Sequence, residues 1–218
     1  GCEVYADLAD IMKNRYNSFG LDNYNILNEE NIFSLNLLAK EYLNALPDFN
    51  LTDEIKLCGW SLGGLLALEI GYILEQKGFI NINIYLLDTL LNDENLISLY
   101  NEEFQIMRTQ ILKEYMITEG YEEDYVNKVV IALKAEYEIS KQSISGILQS
   151  SKVMLFKASQ EDKLIDYESR YKIYKYIQSL KDNNVGSFVK NLEVVNLECN
   201  HRNILEHLIA NDKYTNLL

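Results

Sequence analysis

The segment Gly59-Trp60-Ser61-Leu62-Gly63 sets a serine between two glycines, directly after the apolar run 55–58 and directly before the Ala/Leu/Glu-rich stretch 62–76. A G-x-S-x-G pattern between a strand and a helix marks a nucleophile elbow, a strained turn that exposes the serine Oγ. Small residues on both flanks keep side chains out of the bend. The N–H of Leu62, at the start of the helix, is placed to meet a developing oxyanion with the helix dipole behind it. An ordinary Gly/Ser turn at the start of a helix is the plainer alternative, and the order strand, turn, helix favours the elbow.

A serine hydroxyl is a weak nucleophile and needs a base. The chain has two histidines, His201 and His207. His201 follows the strand-like run "LEVVNLE" and precedes the last helix, where a loop can carry it to the elbow. His207 lies inside that helix and reads as a packing or surface residue. An acid must then hold the imidazole tautomer. With 33 acidic residues, coincidence is cheap, so position has to decide. Asp88 ends "INIYLLD" and Asp162 follows "KVMLFKA", so both stand just past a strand. Asp88 has apolar sequence on both sides, where an ionised carboxylate needs a partner. Asp162 sits among Glu161, Lys163 and Asp166, as in a solvated loop. The residues favour Asp88 slightly and leave Asp162 open.

The elements that must position these groups alternate. Helical spacing runs over 3–16, "SFGLDNYNI" reads as a short strand and turn, and "SLNLLAKEYLNALPD" is an amphipathic helix capped by Ser34 and followed by the only proline, Pro47. A strand over "IKLCGW", a helix stopped by Gly78 and a strand over "INIYLLDT" come next. From 90 to 150 only helical patterning is found, ending in "SISGIL". The alternation then resumes with "KVMLFKA", "DYESRYKIYKYIQSL", "LEVVNLE" and "RNILEHLIAND"; "LKDNNVGS" reads as a plain polar loop. This order predicts an α/β fold, a mostly parallel sheet flanked by helices, interrupted by a helical insertion.

Composition narrows the partners. The net charge of −13 argues against nucleic acid as the main partner. No stretch approaches the roughly 18 apolar residues of a membrane span, and no signal-peptide core is found at the start. Cys2, Cys58 and Cys199 are far apart without metal-type spacing, which points to a reducing, cytoplasmic setting. Cys58 reads as a small buried side chain; for Cys199, close to a histidine, a redox or nucleophilic role is the weaker reading.

"GWSLGGLLALEIGYILEQKG", "IYLLDT", the helical insertion, "VMLFKAS" and "CNHRNILEH" together resemble the type I thioesterase domains that end nonribosomal peptide synthetases, which are α/β-hydrolases. The resemblance covers nearly the whole chain, and the Trp60 form of the elbow is more like the peptide-synthetase branch than the polyketide branch. It implies Ser61 as nucleophile, Asp88, 27 residues further on, as the acid, His201 as the base and the Leu62 N–H in the oxyanion hole. It implies one domain, with a hydrolase core over 1–89 and 151–218 and a lid over 90–150. Tyr100, Phe104, Met107, Leu112 and Met116 fall at helical spacings in that lid; such a stripe suits core packing, and in a lid it would also line an acyl cavity. The implied substrate is an acyl or peptidyl chain on the phosphopantetheine arm of an upstream carrier-protein domain, released by hydrolysis or macrocyclisation, with no metal and no bound cofactor. Arg108, Lys113 and Lys128 are cations that would meet an acidic carrier protein.

The family usually begins with a strand and an "HPxGG"-like loop that supplies a second oxyanion donor. Gly1 resembles the last glycine of that loop, and there is no initiator Met. The chain is therefore expected to be a trimmed piece, or to receive that strand from elsewhere. A stand-alone serine esterase with the same triad, and a non-enzymatic binding module on the same fold, are the competing classes.

Overall fold

The computed structural model describes residues 1–99, 102–160 and 168–218, the side chains of 98, 99, 102–104, 107, 108 and 168–171 aside. Its centre is a four-stranded, all-parallel sheet in the order β1 (Ile55–Trp60), β2 (Ile82–Leu87), β3 (Leu148–Ala158), β4 (Val189–Leu197). Ten α-helices surround it among the described residues. They are α1 (Ala6–Met12), α2 (Tyr24–Leu27), α3 (Leu35–Ala45), α4 (Leu62–Gln76), α5 (Glu94–Leu99), α6 (Glu102–Thr118), α7 (Glu123–Ser140), α8 (Glu168–Ser179), α9 (Ile204–Ile209) and α10 (Asp212–Thr215). The α/β reading with a parallel sheet flanked by helices therefore holds.

Both faces of the inner strand β2 are covered, which is why its second half reads as a continuous apolar run. In β2, Ile82, Ile84 and Leu86 join Leu35 and Leu38 of α3 and Leu65 and Leu68 of α4 in one core. The alternate residues Tyr85 and Leu87 join Leu8 and Met12 of α1 and Ile204 and Leu208 of α9 in the other. The end signals act as expected. Ser34 Oγ accepts the Leu37 N–H at 3.4 Å. Past α4, Gly78 takes φ +91°. Its N–H and that of Phe79 donate to the carbonyls of Glu75 and Leu74 at 2.9 and 3.1 Å, a Schellman closure.

Three local expectations fail. "SFGLDNYNI" contains no strand: Asn23 Oδ1 accepts the Asn25 N–H at 3.1 Å and caps the single turn α2. The Asn25 side chain then imitates a ladder partner, exchanging hydrogen bonds of 2.9 and 2.7 Å with the backbone of Ile32. "SISGIL" is not helical. The fully buried Glu69 of α4 accepts the Ser145 N–H at 2.8 Å and its hydroxyl at 2.6 Å, which bends the chain there into a β3 that starts at Leu148. Cys58 is exposed, because β1 is an edge strand among the described residues. No described helix is long and apolar enough to cross a membrane.

Glu75, near the end of α4, ties that helix to the start of β3. Its carboxylate accepts the N–H groups of Gln149, Ser150 and Ser151 and the Ser151 hydroxyl. Burial pushes this carboxyl upward, but those donors together outweigh it and hold it below the ordinary glutamate value. The stability it contributes is thus complete above pH 4.5, the ordinary value, and is lost as pH falls through the lowered one. Glu75→Gln should cost about 1–2 kcal/mol at pH 7, measured by denaturant unfolding, and the deficit should shrink towards pH 3.

Candidate active site

The strands are parallel and in near register, so Trp60, Leu87 and Phe156 lie side by side, and the residues after β1, β2 and β4 emerge at one end of the sheet. Ser61 leaves β1 at φ 55°, ψ −118°, and Asp88 leaves β2 at φ 47°. Both are left-handed conformations that non-glycine residues rarely adopt. Each is held by a hydrogen bond that extends the sheet ladder one step: Ser61 N–H to Leu87 O at 3.0 Å, and Asp88 N–H to Phe156 O at 2.8 Å. Leu62 begins α4, so its N–H lies in the first turn, where no intrahelical acceptor exists.

The steric demand of the bend falls on different glycines from those expected. A Cβ on Gly59 would lie 2.2 Å from the Gly63 backbone, so the first flank must be bare. On Gly63 the nearest atom would be the Tyr5 hydroxyl at 3.4 Å, an ordinary contact. The second constrained position is Gly64, where a Cβ would lie 1.8 Å from Thr89 Oγ1. The motif's second flank is therefore dispensable for sterics, and the glycine after it is required.

The histidine loop is built separately. Asn200 Oδ1 accepts the N–H groups of Arg202 and Asn203, and Asn203 Oδ1 accepts the Asn200 N–H, a capping box that starts the short 3-10 turn His201–Asn203. Trp60 fixes that loop to the bend: its Nε1–H donates to the His201 carbonyl at 3.1 Å, and its ring lies 5.4 Å from the imidazole. Trp60 N–H in turn donates to the Tyr5 hydroxyl at 2.8 Å. Burial pushes that phenol up to about 12, so it stays neutral.

Asp88 and His201 meet directly, Oδ2 to Nδ1 at 2.8 Å, with the carboxylate 12% and the imidazole 41% exposed. An ionised carboxylate only accepts, so Nδ1 carries the proton and Nε2 is left as an acceptor. The other carboxylate oxygen accepts the Ala158 N–H at 3.1 Å and the Asn183 Nδ2–H at 3.3 Å. Among the described residues no hydrogen bond joins Ser61 Oγ to His201; such contacts commonly tighten only when substrate is bound. His207 packs against Tyr214 instead. Cys199 is buried, and burial pushes its thiol up to about 11, which leaves no thiolate for chemistry.

Asp162, Tyr100 and the side chains of Phe104, Met107 and Arg108 lie outside the described residues. Of the rest of that stripe, Met116 is buried and Leu112 half-buried, while Lys113 is half-buried and Lys128 exposed. Sequence reasoning missed Asn183, which sits fully buried in the loop taken as plainly polar. The double asparagine was the available signal, since Asn183 and Asn184 both adopt positive φ. It also missed Tyr5 and the anchoring role of Trp60.

No protein-family model and no curated protein matches the chain. Solved structures match it in fold. The thioesterase domain of NocB from the nocardicin cluster is 15% identical, with a TM-score of 0.63, covering 99% of this chain and 85% of that one. A four-domain nonribosomal peptide synthetase bound to AMP and glycine is 15% identical, with a TM-score of 0.65, over 95% of this chain and 18% of that one. The SrfTE thioesterase domain, described for cyclization of the lipopeptide antibiotic surfactin, is 15% identical, with a TM-score of 0.55, over 95% and 81%. The chain thus shares its α/β fold, a parallel sheet flanked by helices, with these thioesterase domains.

Gly64→Ala should lower the thermal midpoint by the equivalent of about 1–3 kcal/mol, whereas Gly63→Ala should shift it little. Differential scanning calorimetry of the two variants checks the assignment; equal effects would contradict it.

Proposed function

We propose that the protein is a serine-dependent thioesterase that releases an acyl or peptidyl chain from the phosphopantetheine thioester of a carrier protein. The observation that carries this reading is the Asp88–His201 contact of 2.8 Å, set beside the positive-φ bend at Ser61 and joined to it through Trp60. The thioesterase domains that share the fold support the substrate class. In this reading residues 1–89 and 151–218, together with 148–150 at the start of β3, form the catalytic core. The helical stretch from 90 onward is a lid over the acyl chain, and Tyr100, Phe104 and Met107 are the lid residues assigned to contact with that chain. The partner is an upstream carrier-protein domain in a cytoplasmic assembly, and no metal or bound cofactor takes part.

The steps follow from the proton inventory. His201 Nε2 takes the Ser61 hydroxyl proton as Oγ attacks the thioester carbonyl. The Leu62 N–H donates to the resulting oxyanion. The C–S bond breaks, and the pantetheine sulfur leaves as a thiolate that takes the proton from His201, so acyl-Ser61 remains. His201 then removes a proton from water, or from a nucleophile within the acyl chain, as that group attacks the ester. Collapse breaks the C–O bond to Ser61 and returns the proton to Oγ, giving a free acid or a macrocycle. Asp88 keeps its negative charge throughout and stabilises the imidazolium.

Asp88→Asn should lower turnover of an acyl-pantetheine thioester by about 10²–10⁴-fold, while Asp162→Asn should change it little; the reverse result would move the acid to Asp162. Steady-state comparison with the matching oxygen ester separates the two enzyme classes. A strong preference for the oxygen ester would replace carrier-bound substrate with a free ester.

A further inference from the structure

Lys157 belongs to β3, one residue before the Ala158 whose N–H bonds Asp88, and it is only 5% exposed. Its Nζ donates to the carbonyls of Ile177 and Leu180, at the end of α8, and to Asn183 Oδ1 at 2.7 Å. All three ammonium protons are thus used. Asn183 spends its two Nδ2 protons on Thr89 O at 3.1 Å and Asp88 Oδ1 at 3.3 Å. The direction of this amide is not free. Lysine has nothing to accept with and the Thr89 carbonyl nothing to donate, so the amide oxygen must face Lys157 and the NH₂ must face Asp88. The Asn183 backbone is pinned as well, its carbonyl accepting the Leu91 N–H at 3.0 Å.

We infer that Lys157 and Asn183 are positioning residues: the buried ammonium fixes the Asn183 amide, and the amide fixes the Asp88 carboxylate that orients His201. The inference rests on the reading of Ser61, Asp88 and His201 given above. Capping the carbonyls of α8 does not require this arrangement, because a partly exposed lysine can cap a helix end without losing its water. A buried charge is costly to keep, so its retention here asks for more than capping a helix end. The Lys157 contacts are all neutral groups. The carboxylates that act on its charge are Asp88 and Asp182; Asp182 is engaged with the N–H groups of Asn184 and Gly186. The ammonium therefore stands, through one amide, behind the acid of the proposed triad. His201, Cys199 and Lys157 are charged or titratable groups that interact with Asp88.

The test is the second-order rate of fluorophosphonate labelling of Ser61 against pH, for wild type, Lys157→Met, Asn183→Asp and His201→Ala, with the folded fraction measured by circular dichroism. Lys157→Met should label about tenfold more slowly at pH 7, the lower end of the loss that follows removal of an outer-shell partner of a metal-ligating histidine. Its acidic inflection should move to higher pH, because a cation has been removed from beside the Asp88–His201 pair. Asn183→Asp, which keeps the shape and tolerates the left-handed backbone, should move the inflection the same way by placing a carboxylate against Asp88. A purely structural role would change unfolding but leave the rate and inflection of the folded protein at wild-type values; that result overturns the inference. Should Lys157→Met not fold, Asn183→Asp decides by the same criteria. A wild type that does not label at Ser61, or a His201→Ala variant that labels like wild type, overturns the triad reading and this inference with it.

Discussion

The contact between Asp88 Oδ2 and His201 Nδ1, 2.8 Å across 113 residues of sequence, is the interaction around which the molecule is arranged. It joins the end of β2 to the loop after β4, with β3 lying between them. It can form only if three parallel strands end level with one another and the chain turns sharply at the right residue. Two sequence-distant segments are then held against it: the 3-10 turn by its asparagine capping box, and the Asp88 carboxylate by the Ala158 N–H and the Asn183 amide.

The same principle explains the two left-handed residues. A non-glycine at positive φ costs on the order of 1–3 kcal/mol and persists only where its surroundings over-determine it. At Ser61 and Asp88 the surroundings are the ladder itself, since each backbone N–H makes one further bond to the neighbouring strand beyond the last regular residue. At Ser61 the packing of Gly59 against Gly63 and of Gly64 against Thr89 adds to it. The sheet thereby stabilises the two bends that carry Ser61 and Asp88 at the same end of its strands.

Much of this was legible in the sequence. The order of strands and helices could be read because the inner strand β2 is buried on both faces and two of the helices carry end signals, Ser34 before α3 and Gly78 after α4. The bend at Ser61 could be read because Gly59 reports a backbone constraint, while the second constrained position proved to be Gly64 and not the motif's Gly63. What could not be read were choices made by single side chains over long distance. Asn25 imitates a strand partner within a loop, Glu69 bends a segment 76 residues further along, and Asn183 turns a polar loop into part of the proposed site. Trp60 carried only a family resemblance in the sequence; in the structure its indole N–H and ring hold the histidine loop to the bend. No local pattern distinguishes such residues from solvated ones, because what defines them is a partner elsewhere in the chain.

The central claim is that Ser61 becomes covalently acylated by a thioester. Intact-protein and peptide mass spectrometry after rapid mixing with an acyl-pantetheine thioester tests it most directly. The account predicts a transient mass increase equal to the acyl group, located on Ser61 and absent from Ser61→Ala. Thioester turnover without any adduct on Ser61, undiminished in folded Ser61→Ala, would contradict it.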